Sequence, residues 1–157
     1  MLTVLREATL QDAPDIVRVL RGSRLRFMPY APPVHSESED LHWVRHSLIP
    51  TGGVTVACSD GQVVGMLAVH HAEDAGWIDQ LYVDPRHCGR GIGTQLLAFA
   101  LSSLRRPVRL YTFQENACAR AFYEAHGFGP IAFGDGSRNE EQCPDVLYEL
   151  GERRDAV

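Results

Sequence analysis

A strand that stops at Asp84 is followed by three closely spaced glycines and then by an apolar helix, and this segment constrains the fold more than any other. Gly89, Gly91 and Gly93 alternate with other residues directly ahead of the helical apolar stripe that begins at Ile92. Glycine lets a backbone approach a ligand closely, and the free N–H groups of a first helical turn attract negative charge. The segment therefore predicts an anion-binding cradle between a strand and a helix.

The spacing of these glycines does not fit the two commonest phosphate-binding loops. A P-loop requires a lysine before its serine or threonine, whereas Gly93 directly precedes Thr94. The dinucleotide fingerprint GxGxxG is not met, and the preceding strand belongs to an antiparallel meander rather than to a βαβ unit. The spacing therefore argues against a nucleotide-binding oxidoreductase. Taken alone, the loop is also compatible with a tight strand-to-helix turn that binds nothing.

The clearest hairpin signal is Asp60-Gly61, which two β-branched runs flank within residues 54–69. A second turn near residues 73–76 leads into a third strand at 77–83. The order of elements is β-α-α-β-β-β-α-β-α-β-β, which predicts one mixed α/β domain over residues 1–157 with helices on the faces of a largely antiparallel sheet. The other predicted strands are 2–7, 108–113, 128–133 and 146–150, and the predicted helices follow Thr9 (ending near Gly22), Ser36, the glycine run and Asn116.

The composition is that of an acidic globular protein. Of 157 residues 45% are hydrophobic, and the formal charge of −5 argues against binding to nucleic acid or to an anionic membrane. No apolar run approaches the roughly 18 residues of a membrane span, and the first residues do not resemble a secretory signal. The cysteines form no CxxC pair, so we expect reduced thiols and a cytoplasmic location. They are Cys58, Cys88, Cys118 and Cys143.

Two motifs resemble signatures of the GNAT superfamily of N-acetyltransferases. The run LYVDPRHCGRGIG resembles the acetyl-CoA signature Q/R-x-x-G-x-G/A. Downstream, Asn116, Ala119 and Tyr123, followed by Gly127-Phe128, resemble the second signature N-x-x-A-x-x-x-Y then G-F. The element order agrees as well, so the resemblance covers nearly the whole chain. It implies a twisted, largely antiparallel sheet of about 6–7 strands, flanked by about four helices, with a V-shaped cleft between strands 4 and 5.

The resemblance implies acetyl-CoA as cosubstrate and no metal. The amides from Cys88 to Thr94 would hold the pyrophosphate, Leu81 and Val83 would pair with pantetheine, and Asn116 would hold the pantetheine arm. Cys88 departs from the signature, which has Gln or Arg there, so we expect binding to survive with somewhat weaker affinity. The expected cofactor site comprises Leu81, Tyr82, Val83, Cys88, Gly89, Arg90, Gly91, Ile92, Gly93, Thr94, Asn116, Ala119, Phe122 and Tyr123.

The same resemblance assigns roles in the chemistry. The Leu81 amide would polarise the acetyl carbonyl, and Tyr123 would protonate the departing thiolate. An alkylammonium must lose a proton before it attacks, and the glutamate that serves as base in many relatives corresponds here to Trp77. Asp79 lies two residues further, so a period of two predicts that it shares a face with Leu81 and becomes the base. A strand-end carboxylate paired with a nearby cation is the alternative role for Asp79.

His70 and His71 are alternative bases, and adjacent strand residues point to opposite faces, so at most one can serve. His42 and His46 have the spacing of zinc ligands, but Trp43 stands where HExxH carries its glutamate and no third ligand is evident. The acceptor is expected between the loop joining the first two helices and the loop joining the last two strands. Acids there would favour a cationic acceptor, and a solvated acidic loop is the alternative explanation for them. The acceptor-site residues expected are Tyr30, His35, His71, Glu140 and Glu141.

The resulting functional prediction is an acetyl-CoA-dependent N-acetyltransferase that acts on a primary amine of a small molecule or peptide, by direct attack in a ternary complex. The expected partners are the amine acceptor and a second copy in a homodimer. The alternative is an acyl-CoA-binding sensor or interaction subunit that kept the cradle and lost the chemistry. Cys88 and Trp77 are the two departures that leave this alternative open.

Overall fold

A computed structural model describes residues 2–152. The strands are β1 (Thr3–Glu7), β2 (Val54–Ser59), β3 (Gln62–His71), β4 (Gly76–Val83), β5 (Val108–Phe113), β6 (Gly129–Gly134) and β7 (Asp145–Leu150). The helices are α1 (Ala13–Phe27), α2 (Glu37–Trp43), α3 (Ile49–Thr51), α4 (Ile92–Ser103) and α5 (Ala117–Ala125). A π-helical segment, Val44–Leu48, joins α2 to α3, and short 3-10 turns cover Leu10–Asp12 and Pro85–His87. Within residues 2–152, none of the helices combines the length and the hydropathy that crossing a bilayer requires.

The sheet has seven strands in the order β1-β2-β3-β4-β5-β7-β6. Within the described residues, adjacent strands of this sheet run antiparallel, except that β4 and β5 run parallel to each other. These two strands pair at Gly76 with Val108 and at Trp77 with Arg109, and beyond these positions the ladder between them ends. The strands therefore separate over most of their length and open a wedge in the middle of the sheet. This architecture confirms the predicted mixed α/β fold with a cleft between strands 4 and 5.

Apolar side chains pack on both faces of the sheet. On one face, Leu96 and Leu97 of α4 and Tyr123 of α5 pack with Leu67 and Leu110 of the sheet. On the other face, residues of α1 and Val44 pack against β2 and β3 in a second cluster. Each Å² of apolar surface removed from water contributes about 25 cal/mol to the free energy of folding. The hydrophobic effect is therefore the main force that holds both helix layers on the sheet.

Local signals placed most helix starts correctly. The Ser36 hydroxyl accepts a hydrogen bond from the Glu39 amide, and the Glu39 carboxylate accepts one from the Ser36 amide, as a capping box requires. The first helix, however, continues past Gly22 to Phe27, so the expected end near Gly22 is wrong. A single glycine lowers the stability of a helix by about 1 kcal/mol relative to alanine. The packing of the buried residues in the preceding turns of α1 more than offsets this cost.

Candidate active site

A cavity of about 330 Å³ lies between β4, the glycine loop and the start of α5. We refer to it as cavity 1. The expected cofactor residues line it, with the exception of Arg90, whose guanidinium instead lies 3.2 Å from Nδ1 of His87. Residues that the sequence did not single out complete the wall. They are Ser23, Phe27, Met28 and His87, and Cys118, which was named only as one of the cysteines, lines the cavity with them.

The glycine loop presents unpaired backbone donors to cavity 1. Gly89 and Gly91 both have φ of +80°, a conformation that glycine adopts with little strain. Gly91 caps α4, whose first helical hydrogen bond runs from the Gln95 amide to the Gly91 carbonyl at 3.0 Å. The amides of the first helical turn are therefore available to an anion at the positive end of the helix dipole. The Cys88 amide already donates to the Pro85 carbonyl at 3.4 Å. It is therefore not among the free amides that could bind the pyrophosphate.

Asp84 anchors the start of this loop. Its buried carboxylate accepts hydrogen bonds from Arg18 at 2.8 Å and from the Arg86 side chain at 3.1 Å, and also from the Arg86 amide at 3.0 Å. Burial alone would raise the pKa of Asp84, but the hydrogen bonds from Arg86 and the two guanidinium charges bring it below its ordinary value. The charged carboxylate thus ties the loop to α1.

A second cavity, cavity 2, of about 780 Å³ lies between β4, β5 and the loop that joins β6 to β7. Tyr123 lines both cavities, together with Leu81 and Asn116. The Tyr123 hydroxyl makes no hydrogen bond within residues 2–152, and the residue is only 7% exposed. Burial raises the pKa of Tyr123 above its ordinary value, so its phenol is neutral at physiological pH.

Asn116 is divided between a structural and a ligand-facing role. Its side-chain oxygen accepts a hydrogen bond from the Ala119 amide at 3.1 Å and caps α5. Its side-chain nitrogen makes no hydrogen bond in the part of the chain that the structure describes. Because Asn116 lines both cavities, this nitrogen is available as a donor at the point where they meet.

A bulge in β4 changes the predicted orientation of Asp79. Gln80 pairs with Ala68 and Ile78 pairs with Val69, so Asp79 is an extra residue in the ladder with β3. Ile78, rather than Asp79, packs in the same cluster as Leu81. The prediction that Asp79 shares a face with Leu81 is therefore wrong, since one inserted residue reverses the alternation. Asp79 nevertheless lines cavity 2.

Of the two adjacent histidines, His70 is the one in contact with Asp79. The Nδ1 atom of His70 lies 2.6 Å from Oδ2 of Asp79. The ring of His70 stacks parallel to Trp77, which also stacks on Tyr111. His71, which was the histidine expected in the acceptor site, pairs with Gly76 at the strand end and does not line cavities 1 or 2.

Two ion pairs connect α1 and the segment that follows it with the loop between β6 and β7. His35 lies 2.9 Å from Glu140, and Arg24 lies 2.7 Å from Glu141. The hydrogen bond to Glu140 raises the pKa of His35 above its ordinary value. His35, Glu140, Glu141 and Arg24 line a third cavity of about 820 Å³ beneath α2, which we call cavity 3.

Tyr30 lies apart from the three cavities described. Its ring packs edge-on against Phe113, and its hydroxyl is buried without a hydrogen-bond partner among residues 2–152. Burial raises the pKa of Tyr30 to about 12.

Arg24, which lines cavities 2 and 3, was missed because its helix was expected to end before it. The charge of Arg24, shortly before the proline-rich loop, was the sequence feature that could have marked it as an acceptor-site candidate.

Metal ligands do not cluster in the described residues 2–152, where no group of three or more His, Cys, Asp or Glu side chains could hold an ion. The rings of His42, which lines cavity 3, and His46 are 4.3 Å apart between centroids on consecutive turns of the same helical stretch. They contact each other without a third donor of these types in that part of the chain.

Comparisons with known proteins agree on one family. The model of the acetyltransferase (GNAT) family matches residues 19–128. An uncharacterized N-acetyltransferase of Archaeoglobus fulgidus is 31% identical in an alignment of 147 residues that covers 85% of this chain and 98% of that protein. A mycothiol acetyltransferase of Beutenbergia cavernae is 49% identical in an alignment of 61 residues that covers 36% of this chain and 20% of that protein.

Solved structures show the same fold. The apo form of YjaB from Escherichia coli superposes with a TM-score of 0.76 at 21% identity, covering 96% of this chain and 98% of that one. The PaiA N-acetyltransferase of Thermoplasma acidophilum, solved in complex with coenzyme A, superposes with a TM-score of 0.74 at 18% identity, covering 97% of this chain and 100% of that one.

Proposed function

The chain belongs to the GNAT family of acetyltransferases, and on that premise we propose that it moves the acetyl group of acetyl-CoA to a primary amine of a small molecule. The observation that carries the proposal is the position of Tyr123, which lines both cavity 1 and cavity 2. A thioester in cavity 1 and an amine in cavity 2 would meet beside its neutral phenol. Both substrates would be bound together, so attack would be direct.

The cofactor would lie along cavity 1. The amides of Ile92, Gly93 and Thr94, at the start of α4, would hold the diphosphate. Among residues 2–152, the edge of β4 that faces β5 has no ladder partner beyond Trp77, so its backbone is available to the amides of pantetheine. Cys88 would contribute little here, because its amide is already bonded to the Pro85 carbonyl. Binding would thus rest on backbone donors.

The reaction needs few side chains. The amine nitrogen attacks the thioester carbonyl carbon, and the charge that develops on the carbonyl oxygen would be stabilised by the Leu81 amide. The carbon–sulfur bond then breaks, and Tyr123 would give its proton to the departing thiolate. The second proton lost by the nitrogen would return to the tyrosinate. Overall, one alkylammonium and acetyl-CoA become an amide, free coenzyme A and one proton.

The acceptor is proposed to be small and cationic. Cavity 2, at about 780 Å³, falls in the range of small-molecule sites. Its acids include Asp79, Asp135 and Asp145, whereas the charge of Glu141 is compensated by Arg24. A surplus of carboxylates attracts an ammonium group.

The free thiols of the four cysteines support a reducing, cytoplasmic location, and a homodimer stays a prediction.

A screen of amines tests the proposal. The purified chain is incubated with acetyl-CoA and spermidine, kanamycin or a lysine-containing peptide, and thiol release and the mass gain of one acetyl group are followed. The chain contains no lysine, so acetylation of its own side-chain amines does not contribute to thiol release. We expect turnover with at least one small cationic amine. Calorimetry without measurable binding of coenzyme A would contradict the proposal.

An acyl-CoA sensor is the second candidate, because Trp77 stands where many relatives carry a basic glutamate. It makes a different prediction for the same two measurements. Acetyl-CoA would bind with a clear calorimetric signal, and none of the amines would be acetylated.

A further inference from the structure

The hydrogen bond between His70 and Asp79 connects the wall of cavity 2 with solvent. Nδ1 of His70 is 2.6 Å from Oδ2 of Asp79. Asp79 lines cavity 2 and its side chain is 40% exposed, while the side chain of His70 is 50% exposed and does not line that cavity. A group that reaches Asp79 from the cavity is therefore one hydrogen bond away from a side chain in contact with water.

The surroundings hold this pair in place. Asp79 is the bulged residue of β4, and bulges re-aim a side chain that regular alternation would direct elsewhere. The ring of His70 lies parallel to the ring of Trp77 with centroids 6.1 Å apart, and Trp77 stacks on Tyr111 with centroids 5.8 Å apart. The glutamate of many relatives would occupy the position of Trp77, which here supports the histidine instead.

The proposed reaction needs such a pair. An alkylammonium has a pKa near 10, and it must lose a proton before its nitrogen can attack. A carboxylate hydrogen-bonded to an imidazole can pass that proton to a group that ionises near neutrality and releases it to water. Resting on the proposed acetyl transfer, we infer that Asp79 is the base that accepts the acceptor's proton, and that His70 is a positioning residue that holds Asp79 and conducts the proton to solvent.

The proton balance is closed. The ammonium N–H bond breaks, its electron pair stays on nitrogen, and the proton passes to the free oxygen of Asp79. The pair then carries one additional proton, which it shares between the carboxylate and the imidazole, and the exposed imidazole returns it to water. This is the one proton that the overall reaction releases. Tyr123 handles the other, which ends on the coenzyme A thiol.

Charged neighbours of the pair are few. In cavity 2 the cations are Arg24 and Arg138, and the acids besides Asp79 are Asp135, Glu141 and Asp145. Arg24 is paired with Glu141 at 2.7 Å. From β5, Arg109 approaches the strand beside Trp77, but it bonds Glu149 at 2.9 Å and Asp74 at 3.4 Å. In the described chain, His70 is the ring that contacts the Asp79 carboxylate.

Three variants separate proton transfer from positioning. Asp79→Asn removes the base, and we expect kcat/KM at pH 7 to fall about 100-fold. His70→Asn keeps a donor near the place of Nδ1 but cannot take up a proton, and we expect a fall of about 10-fold at pH 7. His70→Ala removes both properties and should lose at least as much. Matched controls are Asp60→Asn in the exposed hairpin turn and His46→Asn on the surface, which should leave kcat/KM unchanged.

The pH profile supplies the readout that a structural role would not move. As pH rises from 7 to about 9.5, a growing share of the amine is already deprotonated, so the deficits of Asp79→Asn and His70→Asn should shrink. A His70→Asn enzyme equal to wild type beside an impaired His70→Ala would overturn proton conduction. An Asp79→Asn deficit that is constant with pH would overturn the base.

Failure of the inference is distinguishable from failure of the proposed function. If the wild-type enzyme acetylates an amine of the panel and both Asp79→Asn and His70→Asn match it, the inference alone fails. If acetyl-CoA binds but the wild type turns over none of the amines, acetyl transfer fails and the inference fails with it. Calorimetric binding of coenzyme A by the variants at wild-type affinity verifies that each has folded.

Discussion

The guanidinium of Arg24 and the carboxylate of Glu141 lie 2.7 Å apart, although 117 residues separate them in the chain. Arg24 belongs to α1 and Glu141 to the loop between β6 and β7, so the contact joins the two segments that border the acceptor side. Both residues line cavity 2 and cavity 3. The pair cancels one positive charge where the proposed acceptor is cationic.

Glu141→Gln should weaken acceptor binding because it leaves the Arg24 charge uncompensated in cavity 2. We expect KM for a cationic amine to rise several-fold with kcat little changed. The free energy of unfolding should fall by about 1 kcal/mol, as for a partly exposed ion pair. Steady-state kinetics and urea unfolding measure both. The control Glu140→Gln removes only the exposed contact with His35, so its free energy of unfolding should fall by less than that of Glu141→Gln. An unchanged KM for Glu141→Gln would place the acceptor elsewhere.

Tyr123→Phe should lower kcat by about tenfold or more, because the thiolate then departs without its proton donor. Coenzyme A should bind with nearly wild-type affinity, which calorimetry can measure. Since burial raises the pKa of Tyr123, wild-type kcat should not decline from ionisation of this phenol below about pH 10. Unchanged turnover in the variant would remove Tyr123 from the mechanism.

Gly91→Ala should reduce affinity for coenzyme A about 10-fold, since it disturbs the turn that presents the first amides of α4. Gly61 at the hairpin offers a matched control, because it has φ of +75° against +80° for Gly91, and an added Cβ would meet no atom within 4 Å at either position. Each substitution should cost about 1 kcal/mol of unfolding free energy. Equal losses of affinity in both variants would show that the effect is general destabilisation.

The contact between His35 and Glu140 should stabilise the protein more at low pH than at high pH. Glu140 raises the pKa of His35, so the stabilisation is fully present below the ordinary histidine value of about 6.5 and is lost as pH rises through the raised value. The difference in Tm between wild type and Glu140→Gln should therefore be larger at pH 6 than at pH 8.5. A difference that grows with pH would contradict this assignment.

Residues close together in the chain were predicted well. The glycines at 89, 91 and 93 and the motif from Asn116 to Tyr123 identified the walls of cavity 1, because strand, turn and helix follow one another without interruption there. The Asp60-Gly61 turn likewise determined the pairing of its flanking strands. Such features depend on backbone preferences and on short hydrogen bonds, which neighbouring residues specify.

The chain pattern alone thus determined the fold class, the strand order of the first meander and the segments expected to bind the cofactor. Only the tertiary structure decided the direction of Asp79, its contact with His70 and the meeting of Arg24 with Glu141. An inserted residue in β4 is defined by its pairing with β3, so the period of two along a single strand cannot show it. An ion pair across the molecule depends on how two distant elements pack, and long-range packing leaves no local periodicity to detect.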